Sequence, residues 1–193
     1  PAAEVLALLA KLGSCFDCAS VVEIELALAA GATADRISFG NTIKKERDVV
    51  RAMELGVRLF AVDCTAEVEK VARSASATGA KDVRIFCCVP EMAADVLGHG
   101  HRMGLLAYGI SFHVGSQQAN VNAWDSALAS ASAIFKECAT RGISLSMVNL
   151  GGGFPARYLK PIPGVPSYGD VIFRALSKHF GNQLPETIIE PGR

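Results

Sequence analysis

The chain has 193 residues, 50% of them hydrophobic, with 19 basic and 19 acidic side chains and a mean hydropathy of +0.30. Zero net charge at this apolar content excludes a disordered, solvating chain. The lack of a Lys/Arg excess argues against a nucleic-acid partner. No apolar run nears the roughly 18 residues that cross a bilayer, and no basic stretch leads into an apolar one as in a signal peptide. One soluble globular domain over 1–193, with no membrane partner, is the expectation.

In chain order, residues 1–12 have helical spacing, with Pro1 in the first turn and Gly13 as the stop. A strand-like run, Cys15-Phe16-Asp17-Cys18, comes next. Residues 21–30 are predicted helical and end at Gly31, and 36–39 read as a strand ending in Gly40-Asn41. Thr42 is predicted to cap a helix reaching Leu55, closed by Gly56. A strand over 57–62 precedes a helix capped by Thr65. Strands at 83–87 and 106–114 flank a helix over 90–103. A helix over about 122–141 leads to a strand at 144–150, which ends in Gly151-Gly152-Gly153. A looser Pro- and Gly-rich stretch up to Gly169 precedes a helix over about 170–180, and Thr187 to Ile189 starts the last strand.

Six cysteines are too few for a disulfide scaffold, and a reducing cytoplasm is the expected home. Cys15 and Cys18 form a C-x-x-C. No second Cys or His pair completes a zinc site, so they read as two reduced thiols and no metal is expected.

Seven short strands alternate with helices, which means a parallel sheet with right-handed crossovers. An open doubly wound sheet and a (β/α)8 barrel both fit. The glycine-rich loop follows a late strand, where a barrel binds phosphate, and not the first strand, as in a Rossmann fold. The expected fold class is therefore α/β, a (β/α)8 TIM barrel lacking its first strand.

Polar groups gather at the strand ends: Asp17 and Ser20, Asn41, Asp63, then His113 with Gly115 and Ser116, the three glycines, and Glu190 with Gly192 and Arg193. Bare amides of a triple glycine, a serine hydroxyl and a Gly-Arg pair suit a phosphate. Singly, each has a plainer reading. The glycines could be a turn, His113 a satisfied core histidine, Glu190 a solvated strand end, Asp17 and Glu23 surface acids, and Lys44 and Lys45 a solvated first turn. Together they describe a site for a phosphorylated, planar, cationic cofactor.

Four motifs carry a resemblance: Phe16-Asp17-Cys18-Ala19-Ser20, Ser111-Phe112-His113-Val114-Gly115-Ser116, Gly151-Gly152-Gly153-Phe154-Pro155 and Glu190-Pro191-Gly192-Arg193. In order and separation they resemble the pyridoxal phosphate (PLP)-dependent ornithine, lysine and arginine decarboxylases, of the alanine-racemase-like fold type. Diaminopimelate decarboxylases share three of the elements, and the wording of the first two motifs favours the basic amino-acid branch. The resemblance implies a PLP-binding barrel and decarboxylation of a basic amino acid, a small-molecule substrate, most simply L-ornithine to putrescine in polyamine biosynthesis, by a homodimer. It implies catalytic roles for Glu190, against the pyridine nitrogen, and for His113, stacked on the ring. Ser116, Gly151, Gly152, Gly153, Gly192 and Arg193 would hold the phosphate. Asp17, Glu23 and Arg84 match cofactor-binding positions.

The chain also departs from that family. The lysine to which the family attaches its cofactor, and the separate C-terminal β-domain, are not in this sequence. Residues 1–193 alone are expected to be inactive, with open edges on the outermost strands. The connection after Arg84-Ile85-Phe86-Cys87 is shorter than the family's, and Cys87-Cys88 reads as a join with residues missing between. A non-catalytic regulator of the same fold, like the antizyme inhibitors, is the alternative. A single-domain PLP carrier is a third possibility, but its motifs differ.

Overall fold

The computed structural model describes residues 2–159 and 161–191. They form two compact units, one of residues 1–88 and 95–107, the other of residues 89–94 and 108–193.

In the first unit α1 (Ala3–Lys11), α2 (Val21–Ala29), α3 (Glu46–Glu54) and α4 (Thr65–Thr78) alternate with β1 (Phe16–Cys18), β2 (Ile37–Phe39), β3 (Leu59–Val62) and β4 (Arg84–Cys87). The strands pair in parallel and in chain order. Every residue of β3 is buried, as expected of a parallel strand covered on both faces. Ile24, Val49, Ala52, Phe60, Val68, Val71 and Ile85, all fully buried, fill the space between strands and helices.

Local chemistry sets the helix ends. The Ser20 hydroxyl accepts from the Glu23 N–H at 3.3 Å, and the Glu23 carboxylate accepts from the Ala19 N–H at 2.5 Å, a reciprocal cap on α2. α4 closes on Gly79 in the left-handed conformation (φ 68°).

Several expected boundaries change: β3 starts at Leu59 and not at 57, the strand expected over 106–114 ends at Ser111, and the one expected over 144–150 is Met147–Asn149. α3 begins at Glu46 and not at Thr42, because residues 42–45 turn Lys44 into the interior. Its side chain is wholly buried, and the amine reaches the carbonyls of Ala61 (2.6 Å) and Asn41 (2.9 Å) and the Glu67 carboxylate (3.2 Å). Lys44 is therefore no solvated residue. The predicted helix over 90–103 opens as a 3-10 turn, Pro90–Met92, and continues as α5 (Ala93–Arg102).

The second unit holds the end of β5 (Leu106–Ser111), α6 (Ala123–Thr140), β6 (Met147–Asn149), α7 (Val165–Phe180) and β7 (Glu186–Ile188). β5, β6 and β7 pair in parallel and in order. α7 starts five residues before the expected Asp170, with Pro166 in its first turn, where a missing N–H costs nothing. The fully buried Trp124 stacks on Phe154, with ring centroids 5.0 Å apart, and meets the edge of Tyr168 at 5.5 Å. No described helix is long and apolar enough to cross a membrane.

Candidate functional site

The second unit's ladder runs on past its strands. Phe112 N–H donates to the Asn149 carbonyl (3.1 Å), Leu150 to Ile188 (2.9 Å) and Glu190 to Gly151 (2.9 Å). The loops leaving β5, β6 and β7 are thereby held side by side, too close for side chains between them. A Cβ on Gly151 would strike the Phe112 carbonyl, one on Gly152 would lie 2.6 Å from the Glu190 carbonyl, and one on Gly153 would strike the Gly115 carbonyl. Gly151 (φ 62°) and Gly153 (φ 92°) also need the left-handed region. The triple glycine is thus more than a turn: it lets three strand ends converge.

That convergence leaves a cavity of about 250 Å³ lined by His113, Ser116, Gln117, Gly152, Gly153, Phe154 and Glu190. Among the described residues the Gly152 and Gly153 N–H groups have no acceptor. Two bare amides and the Ser116 hydroxyl are donors of the kind a phosphate needs. His113 is exposed, so it is not the satisfied core histidine of the plainer reading. Glu190 is half-buried, and its carboxylate accepts from the amide of Asn149, itself 3% exposed. Asn149 Oδ1 in turn accepts from the Gly151 N–H at 2.9 Å. Asn149 was missed in the sequence, although a polar residue inside the apolar run Met147-Val148-Asn149-Leu150, just ahead of the glycines, could have marked it.

Both glutamines after Ser116 fix the loop. Gln118 N–H donates to the Gly153 carbonyl (2.8 Å), its side-chain amide donates to the Val114 carbonyl (2.8 Å), and its own carbonyl accepts from the Tyr168 hydroxyl (3.0 Å). Gln117 Oε1 accepts from the Ala156 N–H at 3.2 Å. The aromatic trio thus backs the lining through Phe154 and through Gln118. The expected phosphate ligands Gly192 and Arg193 lie outside the described residues. Alanine at Gly152 should force the Glu190 backbone aside. An about tenfold or greater rise in the cofactor's Kd, measured by absorbance titration, is the expected outcome.

The first unit carries the other three expected residues. Asp17, Ser38, Leu59 and Arg84 are successive register partners, so their side chains share one face of the sheet. The Ser38 hydroxyl donates to Asp17. A Cβ on Gly40 would meet both Asp17 carboxylate oxygens, so Gly40→Ala is expected to swing the Asp17 side chain aside with a stability change of less than about 1 kcal/mol in thermal unfolding. Glu23 is exposed and engaged in capping α2. Burial, reinforced by the Glu23 and Asp17 charges, pushes the Cys18 thiol up to about 12. Cys15 is exposed and both thiols are free. Among the described residues no group of His, Cys, Asp and Glu could hold a metal ion.

The chain runs from Cys87 directly into Cys88. Cys88 N–H extends the β3–β4 ladder to the Val62 carbonyl at 3.0 Å.

The family described as "Pyridoxal-dependent decarboxylase, pyridoxal binding domain" matches residues 1–89 and 75–193, two stretches that overlap around β4. The chloroplastic ornithine decarboxylase of Nicotiana glutinosa is 34% identical over 209 positions, covering 100% of this chain and 47% of that protein. Set against 193 residues, 209 positions leave at least 16 without a counterpart here. Antizyme inhibitor 2 of Xenopus laevis is 30% identical, covering 98% of this chain and 44% of its own. The crystal structure of a lysine/ornithine decarboxylase complexed with cadaverine, from Vibrio vulnificus, superposes with a TM-score of 0.89 at 28% identity, over 99% of this chain and 52% of that one. The chain thus spans about half the length of the relatives it matches. Its fold is the α/β barrel architecture that the strand order led us to expect. With the family pattern matched along its whole length, the chain belongs to the pyridoxal-dependent decarboxylases, within their pyridoxal-binding domain.

Proposed function

We propose that this chain is the cofactor-holding half of a PLP-dependent decarboxylase of basic amino acids. The observation that carries the reading is the cavity in which bare amides of Gly152 and Gly153 and the Ser116 hydroxyl face the same space as His113 and Glu190. The donor set fits a phosphate, and the carboxylate and imidazole fit a cationic aromatic ring. Bound there, PLP would supply an electron sink for the charge left as CO2 departs.

The chain's own groups have distinct tasks. The glycine amides and Ser116 would anchor the phosphate, with Gly192 and Arg193 assigned to it by the resemblance. Glu190 would hold a proton at the pyridine nitrogen, and His113 would limit the ring to one plane. Asp17, Glu23 and Arg84 stay as proposed polar supports of the cofactor. Glu23 has the weakest case, since its carboxylate is engaged on the Ala19 N–H.

L-Ornithine is the proposed substrate, giving putrescine, in a cytoplasmic homodimer without a nucleic-acid or membrane partner. Lysine is the close competitor, given the relatives. An antizyme-inhibitor-like regulator is the second reading, favoured by the likeness to antizyme inhibitor 2. The intact lining of the cavity weighs against it. The test is to express the protein containing this chain and record the absorbance of bound PLP. Release of CO2 from ornithine, lysine and arginine is then compared. Bound cofactor with turnover of one of the three supports the enzyme, and no bound cofactor supports the regulator.

A further inference from the structure

Gln117 lines the cavity beside Ser116, and its tie to Ala156 occupies only half of its side-chain amide. The Ala156 N–H can only donate, so the side-chain oxygen of Gln117 faces it, at 3.2 Å. The –NH2 at the other end has no acceptor among the described residues. The backbone N–H groups of Ser116 and Gln117 lack one as well, among the same residues. Gln117 is also left-handed (φ 53°), a region seldom occupied by a residue with a Cβ. Such a conformation persists only where its surroundings fix it, and here the next N–H, that of Gln118, is held on the Gly153 carbonyl at 2.8 Å. A glycine would take this backbone without strain, so what glutamine adds is its side chain.

We propose that Gln117 is a further phosphate-binding residue of this site. Its –NH2 joins the Ser116 hydroxyl and the bare amides of Gly152 and Gly153 as a donor to anionic oxygen. The proposal deepens the cofactor reading above and rests on it. A phosphate is the anion it fits, more than a substrate carboxylate, because Gln117 adjoins Ser116 and its loop is tied to Gly153. Gln117→Glu separates this role from a merely structural one. Glutamate keeps the length of the side chain and an oxygen for the Ala156 N–H. It replaces the donor by a charge that repels a phosphate.

The experiment uses the protein containing this chain, titrated by absorbance at neutral pH with PLP and, separately, with pyridoxal, the same ring without the phosphate. Gln117→Glu is expected to bind PLP at least tenfold more weakly than wild type, with pyridoxal changing by less than about threefold. Gln117→Gly relieves the backbone and removes the donor. It is expected to keep or raise the Tm while losing at least threefold in PLP affinity. A smaller loss in Gln117→Gly overturns the proposal and leaves the cofactor reading intact, since repulsion alone would then explain the glutamate variant. A loss as large for pyridoxal as for PLP also overturns it, because the amide would then serve the ring or the loop. Wild-type protein that binds no PLP overturns both. Should Gln117→Glu fail to fold, Gln117→Gly with the two probes decides.

Discussion

Glu190→Gln is expected to lower the rate of the proposed decarboxylation by about 10²–10⁴-fold, the range typical for loss of a group that places a proton. Glutamine keeps the shape and can still pair with Asn149, so the fold should stand. What is lost is the negative charge that would hold a proton on the pyridine nitrogen, without which the ring is a poorer electron sink. The loss should fall on kcat, with the apparent KM for the amino acid changing by less than about threefold. Steady-state CO2 release on the best of the three basic amino acids is the measurement. A variant that keeps more than about a tenth of the wild-type kcat would remove Glu190 from the chemistry.

The second large effect concerns stability and lies in the first unit. Glu67→Gln is expected to cost about 3–5 kcal/mol, the usual penalty for stranding one partner of a buried ion pair. Glu67 is 4% exposed and meets both Lys44 and Lys70. Desolvation already holds the Lys44 amine below its ordinary value of 10.5, and the attraction of Glu67 opposes that shift. Without Glu67, Lys70 repels an amine that has nowhere to go, and the folded pKa of Lys44 falls further. The sign of the pH dependence follows. Between that lowered pKa and 10.5 the unfolded chain binds the proton and the folded chain does not, so stability rises with pH. Denaturant unfolding of Glu67→Gln should therefore show a deficit that is full below the folded pKa and shrinks toward pH 10. A Lys44→Met/Glu67→Leu pair, which removes both charges, should recover most of the loss. A deficit in Glu67→Gln below about 1 kcal/mol would mean that the cluster is solvated.

The contrast between these two residues explains what could be read from the chain alone. Glu190, His113 and the glycines stand at the ends of apolar runs, and parallel βα units bring such ends to one rim, so local text was enough to nominate them. Lys44 gave no such sign. Its burial depends on a carbonyl 17 residues away and a carboxylate 23 residues away, and residues 42–45 read equally well as a helix turn. Glu23 was legible in a second, local way. Its spacing from Ser20 is that of a capping pair, and the cap is where the carboxylate went. Asn149 escaped because its importance rests on two partners, one adjacent in sequence and one 41 residues on.

The three glycines have a consequence for how this site tolerates change. The proposed hold on the phosphate is made of backbone amides, which every residue possesses, yet each of the three positions is barred to any Cβ by a carbonyl of a neighbouring strand end. A library of all single substitutions should thus be intolerant at 151, 152 and 153 regardless of the polarity, charge or size introduced. At Ser116, exposed and with only a hydroxyl to give, threonine should pass. The cradle is constrained by exclusion and the contacts around it by chemistry, and the two kinds of constraint leave different marks in a mutational map.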